Sequence, residues 1–336
     1  MELVITDKNW DEVGVLGYTS GDFAFGADEN DFSLQVWRGQ DVPKDYLSEN
    51  YLVYSEDGEV GGMVRGIKLA SNGEVTLTGV TWTGFIGEHV LCPPNGSAYF
   101  TASGEVGEIA RTLMSRLGLS SVVRILGDTG LTVTHTFSGS RDAAQQDAGR
   151  YMNGWSALWQ LLYEHGCKAS FAFNPETRTI DVTVGIKADR TDDEEIAISP
   201  SRISATVKRP PNHLVCLGKG ELAERTVIHL YADANGNVST TQSLFGNREV
   251  AEVYDDSSAE DADELSRQGT SKLKDLISEC KSLNIEVPND VLYDVGDLVG
   301  GMDERTGLEA TAVIVKKIVR LSGDSVSREY KTTLKS

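Results

Sequence analysis

The stretch Gly79–Pro94, GVTWTGFIGEHVLCPP, gathers more reactive residue types than any other part of the chain. Glu88, His89 and Cys92 lie close together there, and each type can ligate a transition metal or move a proton. A metal centre built from such a group normally draws a second pair of ligands from elsewhere at matching spacing. The other histidines stand singly along the sequence, and the cysteines (Cys92, Cys167, Cys216 and Cys280) form no Cys-x-x-Cys pair. The expectation is therefore no metal ligands, no cofactor site and buried free thiols.

Other candidate motifs fail on their spacing. Asp233, Asn235 and Asn237 begin like a calcium loop, but Val238 stands where the turn glycine belongs and Leu244 where the bidentate Glu belongs. Gly218-Lys219-Gly220 lacks the leading glycine of a phosphate loop, since His213 occupies that position, and lacks the following Ser or Thr. Gly154-Trp155-Ser156-Ala157-Leu158 lacks the closing glycine of a nucleophile elbow and reads as amphipathic helix. His165, at the end of that helix, is placed to meet the helix dipole. No catalytic constellation survives, which points to a binding or structural role.

The elements that must position these residues follow from periodicity. Phe32, Leu34 and Val36 alternate with polar residues as a half-buried strand does. Further strands are expected at 51–54, 63–69 and 75–81, with Asp57-Gly58 and Asn72-Gly73 as tight turns. Many short strands at this spacing imply a small antiparallel barrel or sandwich. After Pro93-Pro94 the period changes. Val106, Ile109, Ala110, Leu113, Met114 and Leu117 make one helical face, with Ser103 as the expected cap and Gly118 as the stop. A second helix is expected over 153–165, followed by strands at 169–173 and 179–184. A polar acidic linker over 189–195 comes next. Asn235-Gly236 marks another hairpin, a third helix is expected over 258–280, and strands end the chain at 297–299, 312–321 and 326–334. Gly-Gly-Met occurs at both 61–63 and 300–302, each before a strand pair, a hint of a repeated β unit.

The expected class is α+β: two small antiparallel β-barrels, over 1–95 and 191–336, with an α+β domain over 96–190 between them. A further helix-containing segment is inserted in the second barrel. The chain has 336 residues, and its 51 acidic against 31 basic side chains give a formal charge of -20. Such a balance disfavours a polyanion as a tight partner, and no basic stripe appears. No apolar run is long enough for a membrane span, and the first residues lack the pattern of a secretory signal. A soluble protein made in a cytoplasm is expected.

The order of parts carries more than any single motif. The marks are the strand DFSLQV from Asp31, the strand pair ending at Gly79 and the crossover GFIGEHVLCPP from Gly84. The helix NGWSALWQLLYEHG, followed by a hairpin, and the late strand VGDLVGGM from Val295 complete the order. This order resembles the phage tail hub proteins of the siphophage tail-tip family, related to the baseplate hubs of contractile-tailed phages. The resemblance covers nearly the whole chain. It implies two tube-like barrels per subunit and a homotrimeric ring that is pseudo-sixfold against a sixfold tail tube. The implied location is the virion tail tip. The implied partners are a distal tail or tail-tube protein, the tape-measure protein and tip or receptor-binding proteins, with DNA only passing through the channel. Acidic character fits such a channel, because basic contacts are the main source of nonspecific DNA affinity.

The sites expected to matter are then structural. Gly79, Trp82, Phe85, Pro93 and Pro94 form the crossover out of the first barrel, with Ile86 and Val90 as further apolar contacts, and the two prolines stop both strand and helix. The family is sometimes labelled a tail endopeptidase, and nothing in these residues supports that activity. The last strands run to Ser336, so no cell-wall or receptor domain is expected after them. Two rival readings have their own signatures. A tail-associated peptidoglycan hydrolase would use His89 and nearby acidic residues. A carbohydrate-binding surface module would stack sugars on exposed tryptophans such as Trp37.

Overall fold

The computed structural model describes residues 1–38, 51–138, 150–191, 203–259, 261–285, 292–303 and 308–334. The chain divides into two units. The larger is mostly β-sheet with a few helices. Its main sheet runs Ser325–Leu334, Leu308–Ser322, Tyr18–Gly26, Asp31–Val36, Val75–Thr81, Gly61–Leu69, Leu52–Ser55, Leu3–Thr6 and Glu12–Val15 in lateral order. Alternation drives it: Phe32, Leu34 and Val36 all point inward, as their period of two requires.

Two features depart from the sequence expectation. The strand Leu308–Ser322, in the region assigned above to a second barrel, pairs with Tyr18–Gly26, from Lys316 opposite Gly26 to Ser322 opposite Ser20. Val319 and Leu321 thereby enter the same hydrophobic core as Leu34, Leu77 and Trp82. Periodicity reports which face of a strand is buried but not which strand lies beside it. Second, the strand path does not close into a barrel among the described residues. The Gly-Gly-Met echo is also not equivalent in the two places: the first opens Gly61–Leu69, the second lies inside Leu298–Asp303, one strand before the long hairpin.

The same core continues through three helices: α1 (Trp82–Gly87), α2 (Val106–Arg116) and α3 (Gly154–Glu164). Helix α1 was not expected. Helix α2 has the predicted face, with Val106, Ile109, Ala110, Leu113 and Met114 buried, and Gly118 ends it at φ 75°. Its cap, however, is Glu105 rather than Ser103. The Glu105 Oε2 accepts from the Gly107 and Glu108 N–H groups (2.6 and 3.2 Å), while Oε1 takes both the N–H and the hydroxyl of Thr129. Ser103 instead lies in the strand Phe100–Glu105, its hydroxyl 2.8 Å from that of Thr134. Asn153, where the second helix was expected to begin, is the cap of α3.

A three-stranded sheet of Cys167–Asn174, Thr179–Ile186 and Val123–Leu126 covers the helices. Arg124 and Asp181 sit opposite each other in the parallel pair, and the guanidinium clasps the carboxylate at 2.9 and 2.5 Å. Burial pushes the Asp181 carboxyl up, but donors from Arg124, Thr179 and Asn174 outweigh it and hold it below its usual value. The folded state therefore binds this proton more weakly than the unfolded chain. Its contribution is complete above the ordinary value of 3.8 and is lost as pH falls through the lower folded value. Asp181→Asn should flatten the acid limb of the stability profile, read by urea unfolding at stepped pH. Identical acid slopes in variant and wild type would refute the assignment.

The second unit is smaller. The strands Val238–Ser239, Val227–Ala232, His213–Leu217 and Ala251–Asp255 form its sheet in that order, and α4 (Ala262–Glu279) packs Leu265 and Leu273 onto Leu214, Cys216 and Leu230. The expected start at 258 moves to Ala262 because Asp261 is the cap, accepting from the Glu264 N–H at 2.8 Å. Asp263 and Glu264 occupy the first turn as the dipole favours, and the last turn carries no basic residue. The acidic linker expected over 189–195 lies outside the described residues from 192 onward. No helix among the described residues is long and apolar enough to cross a membrane.

Candidate functional site: the crossover and its supports

Gly79 lies in a strand between Phe32 on one side and Val64 on the other. A Cβ there would come 2.1 Å from the Met63 carbonyl oxygen and 2.6 Å from the Phe32 ring, so the strand tolerates only glycine. The chain then turns directly into α1. Trp82 is fully buried, and its Nε1–H donates to the Gly58 carbonyl at 3.1 Å. That carbonyl also receives the Phe173 N–H at 2.9 Å. Phe173 stands among Trp82, Tyr54 and Trp10, with ring centroids at 6.0, 4.8 and 5.9 Å. Gly58 has φ 73°, and a Cβ on it would lie 2.3 Å from the Phe173 carbonyl oxygen. The Asp57-Gly58 turn read from the sequence is therefore also the point where the crossover and the strand Cys167–Asn174 meet.

Phe85 and Ile86 are buried, whereas Val90 is 53% exposed and makes no part of that apolar contact. Val90 instead forms an isolated bridge with Asn153, and His89 accepts the Gly154 N–H at 2.7 Å, fastening the segment to the start of α3. Pro93 and Pro94 are half-buried in irregular chain before Phe100. Glu88, His89 and Cys92 point apart. Arg65 holds the Glu88 carboxylate at 2.9 and 2.6 Å, and the His89 Nδ1–H donates to the Phe85 carbonyl at 3.0 Å. Cys92 is exposed, and its own carbonyl accepts from Arg116 at 2.9 Å. Trp37 is 57% exposed.

A second support carries charge. Asp297 is 1% exposed, yet it takes Lys168 Nζ at 2.9 Å and the backbone N–H groups of Ala188 and Asp294 at 3.0 Å each. Asp294 adds a second carboxylate to the ammonium at 2.9 Å. Burial opposes the Lys168 charge, but the two carboxylates prevail and hold the ammonium above its usual value. Lys316 is similarly enclosed, reaching Asp28 at 2.7 Å and Glu29 at 2.9 Å, and Lys317 bonds Glu59.

Histidines that look solitary in sequence meet in space. In the larger unit, His165 Nε2 lies 3.3 Å from His135 Nδ1, with Glu164 3.5 Å from the same nitrogen. In the smaller unit, His213 Nε2 lies 2.8 Å from His229 Nδ1, and His213 Nδ1 lies 2.6 Å from Glu249. Sequence reasoning missed both pairs, because strand pairing and helix ends bring together residues 30 and 16 positions apart. Neither pair left a signal in the sequence: His213 and His229 lie on adjacent strands joined by the segment 218–226 and not by a tight turn.

No protein-family model matches this sequence, and no curated protein sequence matches it. Solved structures do. The 43 kDa tail protein of prophage MuSo2 from Shewanella oneidensis superposes with a TM-score of 0.53 at 12% identity, over 99% of this chain and 98% of that one. The prophage tail protein gp18 from Listeria monocytogenes EGD-e gives 0.51 at 12% identity, over 99% and 94%. The chain carries the fold of prophage tail proteins. At such low identity the likeness resides in element order and pairing. The tail-protein fold here is held at the crossover by Gly58, Trp82 and Phe173.

Proposed function

We propose that this protein is a nonenzymatic structural hub of a phage, prophage or phage-like tail. Three copies form a ring that closes or extends the tail tube and anchors the tip proteins. The observation that carries this reading is the match of the whole chain, end to end, to prophage tail proteins of nearly the same length. In chain order, 1–95 supplies one tube-like part, 96–190 an α+β domain and 191–336 the second tube-like part, discontinuous because its last strands return to the first. A distal tail or tail-tube protein binds one side of the ring, and tape-measure, tip or receptor-binding proteins bind elsewhere. The crossover Gly79, Trp82, Phe85, Pro93 and Pro94 sets the junction between the first tube-like part and the α+β domain.

Two features support assembly. The strand Glu12–Val15 is exposed throughout, with Val13 57% and Val15 54% accessible, and it ends the sheet path. An unprotected edge strand is a template for pairing with another chain. The charge of -20 suits a surface past which DNA slides, since few phosphate contacts means little counterion release and little retention.

The test is mass in solution together with negative-stain images at high protein concentration. Threefold mass and rings with a central hole are expected. A monomer without rings, also in the presence of a cognate tube protein, would defeat the hub reading.

A further inference from the structure

We propose that His135, Glu164 and His165 form a binding site for a first-row transition metal ion, Zn²⁺ by its ligand chemistry. The site stands independently of the tail-hub reading. Its parts are held by backbone. His135 sits on the strand Thr132–Phe137, opposite Ala102 of the strand Phe100–Glu105, and is 2% exposed. Glu164 is the last residue of α3, His165 is its C-cap, and Gly166 at φ 67° turns the chain away.

The donor atoms are His135 Nδ1, His165 Nε2 and one Glu164 carboxylate oxygen, all within 4.8 Å of one another. The His–His distance is 3.3 Å and the His135–Glu164 distance 3.5 Å. Ligands at zinc bond lengths of ~2.0–2.1 Å in a tetrahedron stand about 3.3 Å apart along each edge. Two edges of the site therefore already have tetrahedral length, and the third lies within 4.8 Å. Two imidazoles and a carboxylate suit zinc better than magnesium or calcium, which take oxygen ligands. Glu164 is half-exposed and His165 partly so, which leaves the fourth position to water.

Three lone pairs converge here with one shared proton at most between the rings. The C-terminal end of α3 adds partial negative charge to the same place. A cation relieves both. His135 Nε2 is buried without a hydrogen-bond partner, its ring edge-on to Phe137 at 4.6 Å. The pair in the smaller unit differs. His213 spends one nitrogen on Glu249 and the other on His229, which makes a linear chain of hydrogen bonds with no point of convergence.

The full-length protein, stripped with chelator, should be titrated with Zn²⁺ by calorimetry and with Co²⁺ by visible absorption. One ion per chain is expected, with the intense visible bands of tetrahedral Co²⁺ and a rise in melting temperature on loading. Glu164→Gln and His165→Gln, both at accessible positions that keep the fold, should each weaken binding at least about tenfold. His229→Gln should bind as wild type does. No stoichiometric binding by wild type, unchanged binding in Glu164→Gln and His165→Gln, or loss of binding in His229→Gln would each overturn the assignment.

Discussion

Trp82→Ala lowers the unfolding free energy by about 3–5 kcal/mol, the range for emptying a fully buried tryptophan site. In a domain of this size that is roughly 10 °C in melting temperature. The reasons are specific to the position. The indole is wholly enclosed, it supplies the Nε1–H received by Gly58, and it stacks with Phe173 at 6.0 Å. The space cannot collapse easily, because part of its wall is backbone: a Cβ on Gly61 would already meet the Trp82 ring at 2.5 Å. His89→Ala, a few residues on, is the control. The Phe85 carbonyl keeps its bond from the Glu88 N–H at 3.3 Å, and the loss should be about 1 kcal/mol or less. Differential scanning calorimetry and the ring assay read both variants. A Trp82→Ala protein that melts like wild type and still assembles would end the crossover argument.

The second large effect is expected at Asp297. Asp297→Asn replaces an acceptor-only carboxylate by a group whose NH₂ must face a donor. Lys168 Nζ and the N–H groups of Ala188 and Asp294 all converge on it. Removing one partner of a buried ion pair typically costs about 3–5 kcal/mol. Asp294 remains beside the ammonium, so the lower end applies here. A double-mutant cycle with Lys168→Met isolates the pair: the second substitution should cost about 1–3 kcal/mol less in the Asp297→Asn background than alone. Additive losses would show that the carboxylate acts through its backbone donors only. An Asp297→Asn protein within 0.5 kcal/mol of wild type, the range of ordinary surface changes, would dispose of the buried-pair account altogether.

Much of the local structure was legible. The helical face from Val106 and the glycine stop at 118 follow from period and cap chemistry, and the structure keeps them. The hairpins at Asp57-Gly58, Asn72-Gly73 and Asn235-Gly236 follow from the need for positive φ, and each glycine has it, at 73°, 83° and 83°. The strand Val123–Leu126 was not legible. It has four residues and pairs in parallel with a partner 57 positions away, so neither alternation nor a tight turn announces it. The cap at Glu105 was missed because a Glu at that position works only when Thr129 folds back onto its other oxygen.

The sequence by itself determined the alternation of Phe32, Leu34 and Val36, the helical face from Val106 and where the glycine turns fall. Those properties depend on neighbours within a few residues, where chain geometry leaves little choice. The tertiary structure decided three things: that Leu308–Ser322 lies beside Tyr18–Gly26, that the indole of Trp82 closes on the turn at Gly58, and that His135 reaches the end of α3. Each joins residues that are far apart along the chain. Each is settled by which apolar faces can be buried together, a competition over the whole chain that no local pattern records.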